Sequence, residues 1–258
     1  MTRMLTRTKF HSSQLIRCLA DLDILDAADS GNAFAETLGS WIHFADAITL
    51  SAVHSSSTDG SLKALPKLHQ EEHAGACAAA SAEFNRIQTL LVDSVKKSCS
   101  PNPGKSHIKL PAPDVDLPAD FKNAYAPYRR FYEAHQRDME LSIQPLRFNV
   151  RAALAKTSPQ LKKLAELDAV LEKIFHDRER HLLSKVPVLL KTRFDQLFKE
   201  HQQKLADMQQ ADNPAGWMKP GAWLARFCND MQMLLLAEVE LRLQPTMGLV
   251  ESFKQEPQ

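Results

Sequence analysis

From Leu161 to Leu205 an apolar residue returns every three or four positions, through Leu161, Leu164, Leu167, Leu171, Ile174, Phe175, Leu182, Val186, Leu190, Phe194, Leu197 and Leu205. An α-helix, with about 3.6 residues per turn, gathers that spacing onto one face. Ser158 supplies the N-cap and Pro159 the first helical position, so the start of the helix is as legible as its stripe. Pro187 interrupts the pattern, but apolar spacing resumes at once beyond it, so a kink is expected rather than an end. The fold class that follows is all-α, a multi-helix bundle with one long Pro-kinked helix.

The same periodicity organises the rest of the chain. Leu15, Ile16, Leu19 and Leu22 mark a first helix with Ser12 or Ser13 as its cap, and Phe34, Leu38, Trp41, Ile42, Ala45 and Ile48 a second capped at Asn32. A polar break follows at 55–61, and a third helix runs from about Pro66 to Cys99. Pro101, Pro103, Pro111, Pro113 and Pro118 forbid a helix between Cys99 and Pro118. They divide the chain into an N-terminal helical part (1–99), a Pro-rich linker (100–118) and a C-terminal helical bundle (119–258). Within that bundle Glu140, Leu141, Ser142, Ile143, Gln144, Pro145 returns 100 residues later as Glu240, Leu241, Arg242, Leu243, Gln244, Pro245. Helical backbone is disfavoured before proline, so each Gln-Pro step reads as the corner between one helix and the next. A loop from Asn213 to Gly221 precedes the final pair of helices, split at Pro245.

Composition bounds the function. With 258 residues, 44% hydrophobic and only 8 Gly, the chain can bury a substantial core, which excludes general disorder. A formal net charge of +1 excludes a globally basic nucleic-acid binder. Cys18, Cys77, Cys99 and Cys228 are scattered and read as reduced thiols of a cytoplasmic protein. The longest apolar run, Met233 to Ala237, falls far short of the roughly 20 residues of a membrane span, so no membrane insertion is expected. Arg3, Arg7, Lys9 and Arg17 mimic a transit peptide but are better read as part of a folded first helix. Seven acids then follow with no Lys or Arg between Arg17 and Lys63, giving a polar surface.

Few patterns carry chemistry. Gly104, Lys105 and Ser106 imitate the end of a phosphate-binding loop, but Cys99 stands where the first glycine belongs and Pro111 and Pro113 deny the following helix. His69, Glu72 and His73 match the HxxEH order of one metalloprotease class, and His69, His73 and Cys77 would share a helix face. That metal-dependent hydrolase reading is the alternative to an ordinary amphipathic helix. Residues 176–181, rich in His, Asp and Arg, read as a salt-bridged helix face. All three tyrosines, Tyr125, Tyr128 and Tyr132, fall at i, i+3 and i+7 beside Lys122, Arg129 and Arg130, as a surface for a partner or nucleic acid would require. Tyrosines packed at the core edge give the same spacing. From Arg151 to Leu205 twelve basic residues stand against seven acids, a local balance of +5. Lys162, Lys163, Lys173, Arg178, Arg180, Lys185, Lys191 and Arg193 could line a basic helix face and follow a phosphate backbone. No catalytic residue and no cofactor is expected.

Phe10 with Leu15, Ile16 and Arg17, then Trp41 with Phe44 to Ala47, Ala126 to Arg129, Leu167 to Ala169, Arg180 to Pro187, and Asp230 to Pro245 together resemble an uncharacterised proteobacterial family known only as a domain of unknown function. The resemblance covers nearly the whole chain. It extends to an accessory protein of type III Zorya anti-phage systems, encoded beside a MotA-like proton-channel protein and an OmpA-like peptidoglycan-binding protein. What it implies is a non-enzymatic cytoplasmic accessory protein acting by protein contacts. Its partners would be a second accessory protein, the cytosolic tail of the MotA-like motor, another copy of itself, or DNA. The resemblance transfers no catalytic residues.

Overall fold

The computed structural model describes residues 13–22, 42–55, 67–100, 104, 107–113 and 123–255, leaving aside the side chains of 67–72. Its helices are α1 (Gln14–Asp21), α2 (Phe44–Ser55), α3 (Lys67–Ser98), α4 (Ala126–Ala155), α5 (Pro159–Leu183), α6 (Val186–Met208) and α7 (Trp223–Gln255). The fold is all-α. Asn32, Phe34, Leu38 and Trp41 of the expected second helix lie outside the described residues, as do Lys105, Ser106 and Lys122.

Helix starts follow the local chemistry. Ser13 accepts from the Ile16 amide at 3.4 Å, and Ser158 from the Leu161 amide at 3.2 Å, each satisfying a donor that the first turn leaves without a partner. Helix α7 is the axis of the bundle, and α1, α3, α4, α5 and α6 all lie against it. Phe227, Met231, Leu234 and Leu235 are fully buried along it. Each such side chain contributes roughly 1.5–3 kcal/mol by leaving water. Leu15 and Leu91 share one continuous core with Tyr132, Leu190 and Phe253, so residues before and after the Pro-rich segment pack together.

Three prolines correct the expected boundaries. Pro145 and Pro245 lie inside α4 and α7, which run through both Gln-Pro steps without a corner. Both rings are exposed. Proline withholds its donor from the carbonyl four residues back, here Leu141 and Leu241, and its ring pushes that turn apart. On a solvent face the helix can bend around the ring and water can serve the carbonyl, so the flanking turns keep the helix intact. In place of paired corners there are two continuous helices, with Ile143 and Leu243 buried and each Gln-Pro outside.

At Pro187 the bend is complete. Ser184 and Lys185 form a turn between α5 and α6, and Pro187 sits, buried, in the first turn of α6. The carbonyl four residues back belongs to Leu183, and the Gln136 amide of α4 donates to it at 2.9 Å. A buried carbonyl that loses its helical donor needs such a replacement. The long stripe thus folds as two helices.

Candidate functional site

Helix α4 presents opposite chemistry on its two sides. The tyrosines expected on a partner surface lie on its inner side, with Tyr125, Tyr128 and Tyr132 only 5, 3 and 0% exposed. Their i, i+3, i+7 spacing is a core stripe, because each ring offers more apolar area than its hydroxyl costs once the hydroxyl finds an acceptor. The Tyr125 hydroxyl donates to the Pro187 carbonyl. Tyr128 packs its ring on Phe194 and Phe227 at centroid distances of 5.7 and 5.6 Å. The Tyr132 hydroxyl donates to Glu238 at 2.8 Å.

Glu238, at 0% exposure on α7, is the polar hub of this core. Besides Tyr132, its carboxylate receives the Gln136 amide at 3.0 Å and Arg242 at 2.8 Å. A buried charge is tolerated when paired and surrounded by donors in this way. Burial and the neighbouring Glu238 push the Tyr132 hydroxyl well above its ordinary range, so it remains a donor. Nearby, the buried His135 meets Ser98 Oγ at 2.8 Å, while Ser98 donates to the Val95 carbonyl.

The outer side of α4 carries a strip of exposed apolar groups, Leu141 at 69% and Phe148 at 64% exposure, with the Pro145 ring between them. Arg137 stands one turn before it. The strip is buttressed by an ionic cage between α4 and α5. Arg147 meets Asp168 at 2.6 Å and Glu172 at 3.6 Å, and Arg151 meets Glu172 at 2.6 Å and Asp168 at 3.4 Å. Side-chain exposures of 13–23% make this cage stiffer than a surface pair. Beside it, a cleft of about 50 Å³ is lined by Glu140, Gln144, His176, Arg180 and Arg242.

The other expected sites disperse. Arg129 pairs with Glu133 at 2.7 Å, and Arg130 is exposed. The basic residues lie on two helices and the turn between them rather than on one face, and several are already held. Lys163 donates to the His54 carbonyl, Arg178 lies 3.3 Å from His43, Lys191 pairs with Asp195 at 2.5 Å, and Arg193 with Asp230 at 2.9 Å. Lys162, Lys173, Arg180 and Lys185 are exposed. Of the HxxEH group, the side chains of His69 and Glu72 fall outside the described residues. His73 packs edge-on against Phe253 at 5.1 Å, and Cys77 lies against the core. Among the described residues no three His, Cys, Asp or Glu side chains are grouped as a metal ion would require.

Sequence reasoning missed the Glu238 hub, the ionic cage and the exposed strip. The cage had a readable signal, since Arg147 and Arg151 on α4 and Asp168 and Glu172 on α5 each repeat at i, i+4. The strip had a weaker one, for Leu141 and Phe148 sit two turns apart on the side away from Ile143 and Leu146.

The fold is an all-α bundle in which helix α4 buries Tyr125, Tyr128 and Tyr132 on one side and turns Leu141 and Phe148 outward on the other. The chain belongs to the family described as protein of unknown function DUF3348, whose model matches residues 1–255. No curated protein and no solved structure matches it. Among the described residues no helix is long and apolar enough to cross a membrane.

Proposed function

We propose that this protein is a non-enzymatic cytoplasmic accessory protein of a motor-coupled anti-phage defence system of the type III Zorya kind, working by protein contacts. The sequence resemblance supports the setting. The Leu141, Pro145 and Phe148 strip supports the mode of action, because large apolar side chains held in water on a buttressed helix favour a covering partner. The partner is the cytosolic tail of the MotA-like motor protein or the second accessory protein. Arg129, Arg130 and Arg137, exposed along the same helix, would supply the polar rim.

Co-purification of the tagged chain from cells carrying the whole system tests the reading. Recovery of the motor protein or the second accessory protein is expected. Recovery of neither, with defence still active, would overturn it. A secondary role on DNA rests on the exposed Lys162, Lys173, Arg180 and Lys185. Binding to duplex and single strands would then fall steeply with added salt, and absence of affinity at low salt would end that role.

A further inference from the structure

The outer side of α4 surrounds its apolar strip with charge of one sign. Arg130 and Arg137 precede Leu141, and Lys156 follows Phe148, all three exposed. Among the described residues none of these three has an ion pair, whereas Arg129 is held by Glu133 at 2.7 Å. Arg147 and Arg151 are committed to the cage with Asp168 and Glu172. The other carboxylates of this stretch turn aside. Glu140 lines the cleft toward α5 with Arg180 and Arg242, and Asp138 lines a groove of about 730 Å³ toward α3 with Lys97 and His107. Leu90 of α3, exposed in that groove, widens the apolar seat.

The spacing suits a helix. Leu141 and Phe148 lie two turns apart, about 10 Å along the axis, so a second helix laid along α4 can match them with its own apolar stripe. An extended peptide would gain less, because α4 keeps its backbone donors and acceptors for itself and offers no edge to pair with. From Arg137 to Lys156 is about 28 Å, which a helix of about 20 residues covers. Arginine at the rim of an apolar patch favours carboxylates, which its guanidinium meets with two parallel hydrogen bonds. The same unpaired cations repel a basic partner.

We infer that the strip takes an acidic amphipathic helix, its apolar side chains against Leu141, Pro145 and Phe148 and its carboxylates against Arg130, Arg137 and Lys156. This partner chemistry rests on the reading of the strip as a docking face, to which it adds the sign of the partner's charge. The apolar contacts hold the helix, and the charges select it and speed its arrival.

Three fluorescently labelled peptides of about 20 residues test this on the full chain by anisotropy. All carry the same Leu and Phe stripe at i, i+4 and i+7, and flank it with Glu, Gln or Lys. The Glu peptide should bind about tenfold more tightly than the Gln peptide, and the Lys peptide least. Raising salt from about 50 mM to about 500 mM should remove most of the Glu peptide's advantage. In Arg130→Glu with Arg137→Glu, both at exposed positions, the order of the Glu and Lys peptides should reverse. Leu141→Ala with Phe148→Ala should weaken the Glu and Gln peptides alike. Equal affinities, no binding by any peptide, or an order untouched by the Arg130 and Arg137 changes would overturn the acidic partner. Equal affinities that still fall with Leu141→Ala and Phe148→Ala would leave the strip a docking face for another chemistry, so the two readings fail separately.

Discussion

The two sides of helix α4 hold similar kinds of side chain in opposite circumstances. Inside, Tyr125, Tyr128 and Tyr132 are buried, with Tyr125 and Tyr132 anchored by their hydroxyls. Outside, Leu141 and Phe148 stand in water with Pro145 between them. The difference teaches that residue type alone does not assign a surface. What decides is what the neighbouring helices offer each side, which for Tyr125 and Tyr132 includes a buried acceptor at Pro187 and at Glu238. Inner-side changes should therefore cost stability, and outer-side changes should spare it.

The largest effect is expected at the hub. Glu238→Ala leaves Tyr132, Gln136 and Arg242 without their buried acceptor and should cost about 4 kcal/mol in urea unfolding. A loss under about 1 kcal/mol would contradict the hub.

Acid should act next. Burial lowers His135 from the ordinary 6.5 to about 4, so the folded state binds its proton less readily than the unfolded chain. Its stabilising share is complete above about pH 6.5 and is lost as pH falls toward about 4, by roughly 3 kcal/mol. Urea midpoints across that window should fall, and the fall should shrink in His135→Gln.

Gln136→Leu strips the Leu183 carbonyl of its replacement donor at the break between α5 and α6. A cost of about 2 kcal/mol is expected. The smallest effect is a gain, and it lies on the outer side. Pro145→Ala restores a helical donor to Leu141 and should stabilise by about 1 kcal/mol in thermal unfolding. Pro187→Ala should bring no gain, because Pro187 already sits in a first turn and Gln136 serves the Leu183 carbonyl that the proline leaves without a helical donor.

Much of the fold was legible because capping and periodicity are local. Ser158 with Pro159, the stripe from Leu161, and α3 from Lys67 to Ser98 all follow from neighbours in sequence. The prolines were legible only as breaks. Pro145, Pro187 and Pro245 look alike locally, and only the bundle reveals which are exposed and which carbonyl a side chain such as Gln136 can reach. The candidate site was less legible still. Glu238 joins Tyr132 and Gln136 across more than 100 residues of chain, a pairing that no spacing rule records. The three tyrosines were the right residues to single out, but their side of the helix was set by Phe194, Phe227 and Glu238 on other elements.

The central claim is that α4 is locked on its inner side and docks on its outer side. The direct test is a double substitution, Leu141→Asp with Phe148→Asp, read at once for its urea midpoint and for binding to the purified cytosolic tail of the MotA-like protein and to the second accessory protein. The account predicts a stability within about 0.5 kcal/mol of the native chain and at least a tenfold loss of binding to the partner that the native chain holds. Unchanged binding, or unfolding of the double variant, would contradict it.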